Sequence, residues 1–247
     1  MPELPEVETT RQGVQSLLLG ARVAHLDCRQ CRLRWPVPVQ EINAALPGSL
    51  LQSVQRRAKY LLLGFSQATL LWHLGMSGSL RVLERPSAPQ PHDHLDLVFH
   101  DGRILRYRDP RRFGALLLCP GVPQSHPLLR DLGPEPLSEA FTATRLLADC
   151  QGRRSAIKTR IMDSHVVVGV GNIYAAEALF LAGIRPQRPA GSLVAAEAEA
   201  LVAAIRTVLT QAIQAGGTTL RDFQGTAGQP GYFAQALQVY GRSGAPC

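Results

Sequence analysis

The sequence predicts an α+β protein in which an N-terminal helix and an antiparallel β-sandwich precede a helical domain. Short runs rich in β-branched and large apolar residues recur between residues 21 and 120, separated by turn residues, as in sandwich proteins. After a segment rich in Pro and Gly at 133–136, the apolar residues adopt helical spacing. We therefore expect a β-sandwich domain at 1–133 and a helical domain at 134–247.

Each element follows from local patterns. Residues 3–19 form the first predicted helix, because Val7, Val14 and Leu18 are apolar at helical spacing and Gly20 ends the pattern. The dipeptide at 101–102, Asp-Gly, is typical of a hairpin turn. The predicted strands are 22–26, 50–55, 60–65, 69–74, 80–83, 95–100, 104–107 and 115–119. Further helices are predicted at 141–150, 156–163, 173–182 and 193–214, followed by a loop near 216–233 that could cover a pocket.

Composition favours a globular protein with an anionic partner. The chain has 247 residues, 45% of them hydrophobic, and a formal net charge of +7. This charge favours a polyanion such as nucleic acid. The sequence has no apolar run of membrane-spanning length and no secretory signal pattern, so we expect a cytoplasmic protein.

The five cysteines are expected to be reduced thiols, because they are odd in number and scattered. Cys28 and Cys31 hint at a metal site, but the sequence contains no second pair. Strand alternation would place them on opposite faces, so two separate thiols are expected.

The chain begins with residues suited to covalent catalysis. Once Met1 is removed, Pro2 carries a secondary amine that can attack an electrophilic carbon and form an iminium ion. Glu3 places a carboxyl group beside it. The alternative interpretation is that Pro2 and Pro5 only lead into the first helix.

Lysine is rare here, since Lys59 and Lys158 are the only lysines among 26 basic residues. A lysine in a chain this rich in arginine can mark a position that requires an amine able to lose its proton, which arginine does not provide. Lys59 could therefore hold a phosphate or move a proton, although charged strand ends are usually solvated edges.

Two turns carry residues suited to entering a DNA stack. Met76 lies between glycines in a tight turn, and Arg111, Arg112 and Phe113 form a second turn. Together they resemble side chains that fill the gap left by an extruded base. Alternatively, Met76 is core filler and the second turn is an exposed loop next to a buried Phe113.

Other polar motifs have more than one interpretation. Asn172 follows the glycines of 169–171 and is predicted to cap a helix whose N-terminus could bind phosphate. No strand precedes these glycines, which argues against a dinucleotide cofactor. The histidines of 92–94 could be metal ligands, but further ligands are not evident and His92 could equally bind phosphate.

Together these motifs resemble the formamidopyrimidine-DNA glycosylase family of bifunctional DNA repair enzymes, over the whole chain. The motifs are PELPEVE at 2–8, RRAKYLLL at 56–63, HLGMSGSLR at 73–81, DPRRFG at 109–114, VVGVGNIYAAE at 167–177, GGTTLRDF at 216–223 and QPGYFAQALQVYGR at 229–242. The resemblance implies a β-sandwich, a helix–two-turn–helix domain and DNA bound in the cleft between them.

The resemblance also implies residue roles. Pro2 would be the nucleophile at the deoxyribose C1′, Glu3 an acid/base and Lys59 an assistant in β-elimination. Met76, Arg111 and Phe113 would occupy the space of the flipped nucleotide. The implied phosphate contacts are His73, His92, Arg112, Arg153, Lys158, Asn172 and Tyr240.

The family implies a monomer that acts on double-stranded DNA with oxidised purines, without a cofactor for the chemistry. Family members normally end in a four-cysteine zinc hairpin, of which Cys247 would be the first ligand, so no structural zinc is expected with this chain. The alternatives are an endonuclease VIII-type enzyme for oxidised pyrimidines and a DNA-damage binder impaired in catalysis.

Overall fold

Eight antiparallel strands form two four-stranded sheets in the first half of the chain. The computed structural model describes residues 2–217 and 237–245. One sheet has the order β1-β6-β7-β5 and the other has the order β2-β3-β4-β8. The strands are β1 (Val23–Cys28), β2 (Ser53–Arg57), β3 (Tyr60–Gly64), β4 (Thr69–His73), β5 (Ser79–Leu83), β6 (Asp93–Phe99), β7 (Ile104–Arg108) and β8 (Ala115–Cys119).

The two sheets share one apolar core. Fully buried Phe99 and Tyr107 of one sheet belong to the same cluster as Leu61 and Trp72 of the other. Helix α1 (Leu4–Leu18) packs its buried Val7, Val14 and Leu18 into this cluster. The core therefore fixes the N-terminal segment of the chain against the sandwich.

The helical half has its own apolar cluster. Its helices are α3 (Ala143–Cys150), α4 (Ile157–Ile161), α5 (Asn172–Leu181) and α6 (Ala195–Gln214). Helix α6 packs against α3, α5 and α1. Buried Phe141, Tyr174 and Leu209 lie in this second cluster. None of the helices in the described part of the chain is long and apolar enough to cross a bilayer.

The predicted α+β class is confirmed, and each of the eight predicted strands overlaps an observed one. Helix α2 (Val39–Ala45) was not predicted, because its seven residues bury only Ile42 and give little helical periodicity. The division of the chain at residue 133 stays a prediction. The predicted covering loop lies mostly outside the described residues, and Cys247 lies entirely outside them.

The expectation of two separate thiols at positions 28 and 31 is wrong in this structure. Strand β1 ends at Cys28, so strand alternation does not extend to Cys31. The backbone N–H groups of Arg29 and Gln30 both donate to the His94 carbonyl, which turns the chain. The two cysteines are joined by a disulfide with their Cα atoms 5.7 Å apart.

Candidate active site and DNA-binding surface

Glu3 links the two halves of the molecule at the N-terminus of α5. Its buried carboxylate accepts hydrogen bonds from the backbone N–H groups of Gly171 at 2.7 Å and Ile173 at 3.0 Å. A third N–H, that of Tyr174, lies 3.5 Å away. The amide of Leu4 donates to the Gly169 carbonyl at 3.0 Å. The first residues of the chain are therefore held by the helical half.

Two glycines make this contact possible. A Cβ atom on Gly171 would lie 2.3 Å from the Glu3 carboxyl carbon, well inside contact distance. Gly169 has a φ of +78°, and a Cβ atom there would lie 2.6 Å from Leu4. The glycines at 169 and 171 are thus required by the close approach of residues 3 and 4.

This arrangement corrects the predicted role of Asn172. Gly171 is the N-cap residue of α5, and Asn172 is its exposed first residue. The carboxylate of Glu3 caps the helix in its place and occupies backbone donors that were expected to bind phosphate. The side chain of Asn172 is exposed and stays available for a ligand.

Glu6 and Tyr174 hold the backbone of Glu3. Glu6 accepts a hydrogen bond from the Glu3 N–H at 2.8 Å and another from the Tyr174 hydroxyl at 2.6 Å. All three residues are buried. Sequence reasoning missed this pair, although a glutamate three residues after Glu3 is the spacing of a capping box.

Lys59 occupies the two-residue turn between β2 and β3, next to Ala58 with its positive φ of 54°. Glu135 fixes this turn from the helical half. It accepts from Arg56 at 2.7 Å, from Arg57 at 3.0 Å and from the Ala58 N–H at 2.7 Å. The expected solvated strand end is therefore a partly buried ion-pair cluster.

Burial disfavours the charged form of both Glu3 and Lys59. Burial raises the pKa of Glu3, although the Lys59 charge and the backbone donors act against that change. Burial lowers the pKa of Lys59, although the carboxylates of Glu3 and Glu6 act against it. Such shifts bring an acid and an amine closer to the pH range in which both can transfer protons.

His73 is a neutral hydrogen-bond donor at the end of β4. Burial lowers its pKa to about 4, helped by the charges of Arg34 and Lys59. The Gly75 N–H lies 3.1 Å from Nδ1, which must therefore accept. The proton then sits on Nε2, which is available for an acceptor such as a phosphate oxygen.

We expect His73 to make the protein less stable in acid. Its folded pKa of about 4 lies below the ordinary value of 6.5, so the unfolded chain binds more protons between these values. The free energy of unfolding should rise with pH across that interval, by about 3 kcal/mol at most, and level off above it. Urea unfolding as a function of pH should show a shallower rise for His73→Gln, and an unchanged rise would contradict this assignment.

Met76, Arg111 and Phe113 meet on two adjacent loops, and we call this group the wedge. Met76 is 36% exposed and Phe113 is 47% exposed, so both apolar side chains are accessible to a ligand. The Arg111 guanidinium lies 4.9 Å from the centre of the Phe113 ring. The structure therefore brings the predicted group together and leaves it exposed.

Asp109 joins the two wedge loops from below. Fully buried, it accepts from the Ser77 hydroxyl at 2.6 Å, the Tyr107 hydroxyl at 3.0 Å and the Gly114 N–H at 2.9 Å. The Ser77 oxygen in turn accepts from the Arg111 N–H at 3.1 Å. Sequence reasoning missed Asp109, although the polar Asp-Pro start of its turn is a local signal.

His92 and Arg112 flank the wedge on exposed backbone with positive φ, 74° and 56° respectively. The His92 carbonyl accepts from the Asp109 N–H at 3.1 Å, which places it beside the second wedge loop. His92 and Arg112 are both exposed, as a phosphate contact requires.

A second basic surface lies on the helical half. Lys158, Asn172 and Tyr240 line one depression of about 700 Å³, together with Arg185 and Arg242, which were not predicted. The Glu177 carboxylate fixes the segment that forms one wall of this depression. It accepts hydrogen bonds from the backbone N–H groups of residues 238–240 at 2.8–3.0 Å. Arg153 is exposed on the loop after α3 and does not line this depression.

Residues 2–217 and 237–245 contain no group of three His, Cys, Asp or Glu side chains placed to hold a metal ion. The histidines of 92–94 do not form one, because His94 instead contacts the Asp109 carbonyl at 2.8 Å.

Sequence comparison identifies the relatives of this chain. Profiles of the formamidopyrimidine-DNA glycosylase N-terminal domain and H2TH domain match residues 1–116 and 132–224. Formamidopyrimidine-DNA glycosylases of Alkalilimnicola ehrlichii and Serratia proteamaculans are each 56% identical to it. Each alignment covers 100% of this chain and 91% of the relative.

Solved structures show the same fold. The MutM (Fpg) protein of Thermus thermophilus superposes with a TM-score of 0.88 at 40% identity, covering 100% of this chain and 90% of that one. The Lactococcus lactis Fpg in complex with abasic-site DNA gives 0.90 at 31% identity, covering 99% and 90%. This chain belongs to the formamidopyrimidine-DNA glycosylase family.

Proposed function

We propose that this chain excises oxidised purines from double-stranded DNA through an amine on Pro2 and then cleaves the strand at the abasic site. The observation that carries this proposal is the burial of Glu3 beside Pro2, with Lys59 close enough to influence its charge. An exposed wedge and two basic surfaces complete a site for a flipped nucleotide. The related Lactococcus lactis protein was solved with abasic and Fapy-dG DNA, which supports this substrate class.

The chemistry begins after Met1 is removed, because the Pro2 nitrogen is otherwise part of a peptide bond. The Pro2 amine forms a bond to C1′ of the deoxyribose while the bond from C1′ to the damaged base breaks. The departing electron pair needs a proton. Glu3 is the acid placed beside Pro2 to supply it, and burial raises the pKa of its carboxyl group.

After the base has left, the Pro2 nitrogen loses its proton and its lone pair expels the ring oxygen O4′ from C1′. O4′ takes up a proton as the sugar ring opens, which leaves an iminium ion between Pro2 and C1′. Strand cleavage follows from this iminium ion. The positive nitrogen makes the C2′ proton acidic, and its removal expels the 3′ phosphate by β-elimination. Lys59 assists this proton transfer, because burial lowers the pKa of its amine. The Pro2 amine is released when water hydrolyses the product.

DNA binding is shared between the halves of the protein. We propose that His73, His92 and Arg112 hold phosphates near the wedge, while Lys158, Asn172 and Tyr240 hold phosphates on the helical half. Arg153 extends the second surface. The protein acts as a monomer with chromosomal DNA in the bacterial cytoplasm.

The two alternatives have less support. An oxidised-pyrimidine glycosylase is disfavoured because the 56%-identical relatives are named formamidopyrimidine-DNA glycosylases. The wedge residues also resemble those of the purine-directed branch. A binder impaired in catalysis would not need the opposed pKa shifts of Glu3 and Lys59. Cys247, the expected first ligand of the family zinc hairpin, lies outside the described residues. The expectation that this chain holds no structural zinc therefore stays a prediction.

Covalent trapping tests the nucleophile. Borohydride reduction in the presence of a duplex with 8-oxoguanine opposite cytosine should crosslink the protein to DNA through Pro2. Peptide mapping of the crosslink and the intact mass of the free protein would show the attachment site and the loss of Met1. A crosslink mapped to Lys59, or none at all, would contradict the proposal.

Arg111 should read the base opposite the lesion. If its guanidinium hydrogen-bonds the orphaned cytosine, Arg111→Ala should reduce the preference for cytosine over adenine about tenfold or more. Affinity for undamaged DNA should fall much less, because only one of many cations is lost. Excision rates opposite each of the four bases measure this effect, and an equal loss opposite all four would rule out base readout by Arg111.

A further inference from the structure

A loop with a disulfide and exposed arginines connects β1 to α2, and we call residues 28–37 the cysteine–arginine loop. Its Cys31, Arg32 and Arg34 are exposed, whereas Leu33 and Val37 are buried in the sandwich core. Cys28 and Cys31 are bonded at its start. The apolar pair anchors the loop, while Cys31 is an exposed residue.

Arg29, one of the two residues between the cysteines, is held by a buried acid. Arg29 donates two hydrogen bonds to Asp96, at 3.0 and 2.8 Å, and one to the Asp93 carbonyl at 2.7 Å. Asp96 is only 3% exposed and is also bound by Arg106. The first turn of the loop is therefore fixed to β6 independently of the disulfide.

The second half of the loop depends more directly on Cys31. The Cys31 carbonyl accepts from the Val37 N–H at 2.8 Å, which closes the loop on itself. At its tip, the Arg34 N–H donates to the Gly114 carbonyl at 3.0 Å. Gly114 ends the second wedge loop and is held by Asp109. One backbone hydrogen bond thus joins the cysteine–arginine loop to the wedge.

The loop also contributes charge to the DNA-binding surface. The Arg34 charge acts on both His73 and Tyr60. Its guanidinium lies 4.7 Å from the centre of the Trp35 ring, and Arg32 is exposed nearby. A change in the conformation of this loop would therefore alter the positive field beside the wedge.

We propose that Cys28 and Cys31 form a reversible redox site whose state controls how tightly the wedge surface binds lesion DNA, an inference that rests on the proposed function. The reductant class is a low-molecular-weight thiol such as glutathione. Its thiolate attacks the sulfur of Cys31, the more exposed of the two residues, the Cys28 thiolate leaves and takes a proton, and a second thiol releases Cys31. Two molecules of the small thiol are thereby oxidised to one disulfide, while the Cys28–Cys31 disulfide is reduced to two cysteine thiols.

The disulfide form is the tighter binder. The bond restricts the residues that precede Arg32 and Arg34, so less conformational freedom is lost when DNA binds. Reduction releases Cys31, and with it the Val37 contact and the position of Arg34. We expect the reduced protein to bind a lesion duplex about threefold to tenfold more weakly, within the range of measured coupling between sites.

The test compares the two redox states of the full chain. The probe is a duplex with a tetrahydrofuran abasic analogue opposite cytosine, which the enzyme cannot cleave. Protein equilibrated in glutathione buffers is alkylated, the Cys28–Cys31 peptide is assayed by mass spectrometry, and Kd is measured for each state. Because coupling is reciprocal, saturating DNA should make the disulfide harder to reduce by the same factor. A tenfold effect corresponds to about 30 mV for a two-electron couple.

Variants separate this site from other cysteines. Cys28→Ser/Cys31→Ser should bind like the reduced protein in every buffer, whereas Cys119→Ser, which changes a buried thiol in β8, should keep the redox response. Equal Kd values for the two states, no reversible disulfide in the 28–31 peptide, or the same loss of response in Cys119→Ser would overturn the inference. Failure of both redox states to bind the lesion duplex would instead contradict the proposed function and the inference with it.

Discussion

Lys59→Arg is expected to slow strand cleavage of bound abasic DNA about 100-fold or more, as loss of a general acid–base group does. The arginine keeps the positive charge, so Kd for the lesion duplex should change little. It does not deprotonate near neutral pH, whereas burial lowers the pKa of the native amine. Single-turnover cleavage of a preformed abasic site measures the step without base excision.

The comparison with Lys158→Arg makes this prediction specific. Lys158 lies in the depression on the helical half, where a phosphate contact needs only charge and reach. Lys158→Arg should therefore leave the cleavage rate of the bound complex unchanged and change Kd little, while Lys59→Arg should lower the rate of the bound complex. If Lys59→Arg cleaves at the wild-type rate, Lys59 is an electrostatic contact and another group moves the proton.

The fold was largely predictable because its elements carry local periodicity. Strands such as β3 and β4 are short apolar runs bounded by turn residues, and α6 repeats its apolar positions over 20 residues. Helix α2 is too short for such a signal. The bond between Cys28 and Cys31 depends on where β1 ends, and strand ends are poorly defined by sequence pattern.

Sequence reasoning proposed candidate residues only where a single residue type suggests the chemistry. Pro2, Glu3, Lys59 and the wedge were proposed from residue type and family resemblance, whereas the residues that hold them in place were not predicted. Glu3 caps a helix that begins more than 160 residues later, and Glu135 holds a hairpin from the opposite half. Contacts over such separations leave no periodic trace, so local rules assigned the cap to the adjacent Asn172.

The cap contact leads to the second large effect, for Gly171→Ala. The added Cβ would lie 2.3 Å from the Glu3 carboxyl carbon, and the carboxylate cannot yield without losing its N–H donors. A displacement near 1 Å can cost a reaction about 100-fold, so we expect base excision to fall by at least that factor. The measurement is the single-turnover excision of 8-oxoguanine opposite cytosine, together with Tm.

Two further variants distinguish displacement of Glu3 from general damage to the fold. Gly121→Ala places a Cβ in open space and should leave both rate and Tm unchanged. Glu3→Asp withdraws the carboxylate by one methylene and should be slow alone, but combined with Gly171→Ala it should recover part of the lost rate. Such non-additivity is expected only if the two residues compete for the same space. Strictly additive losses, or a full rate in Gly171→Ala, would show that the position of Glu3 at the start of α5 does not limit catalysis.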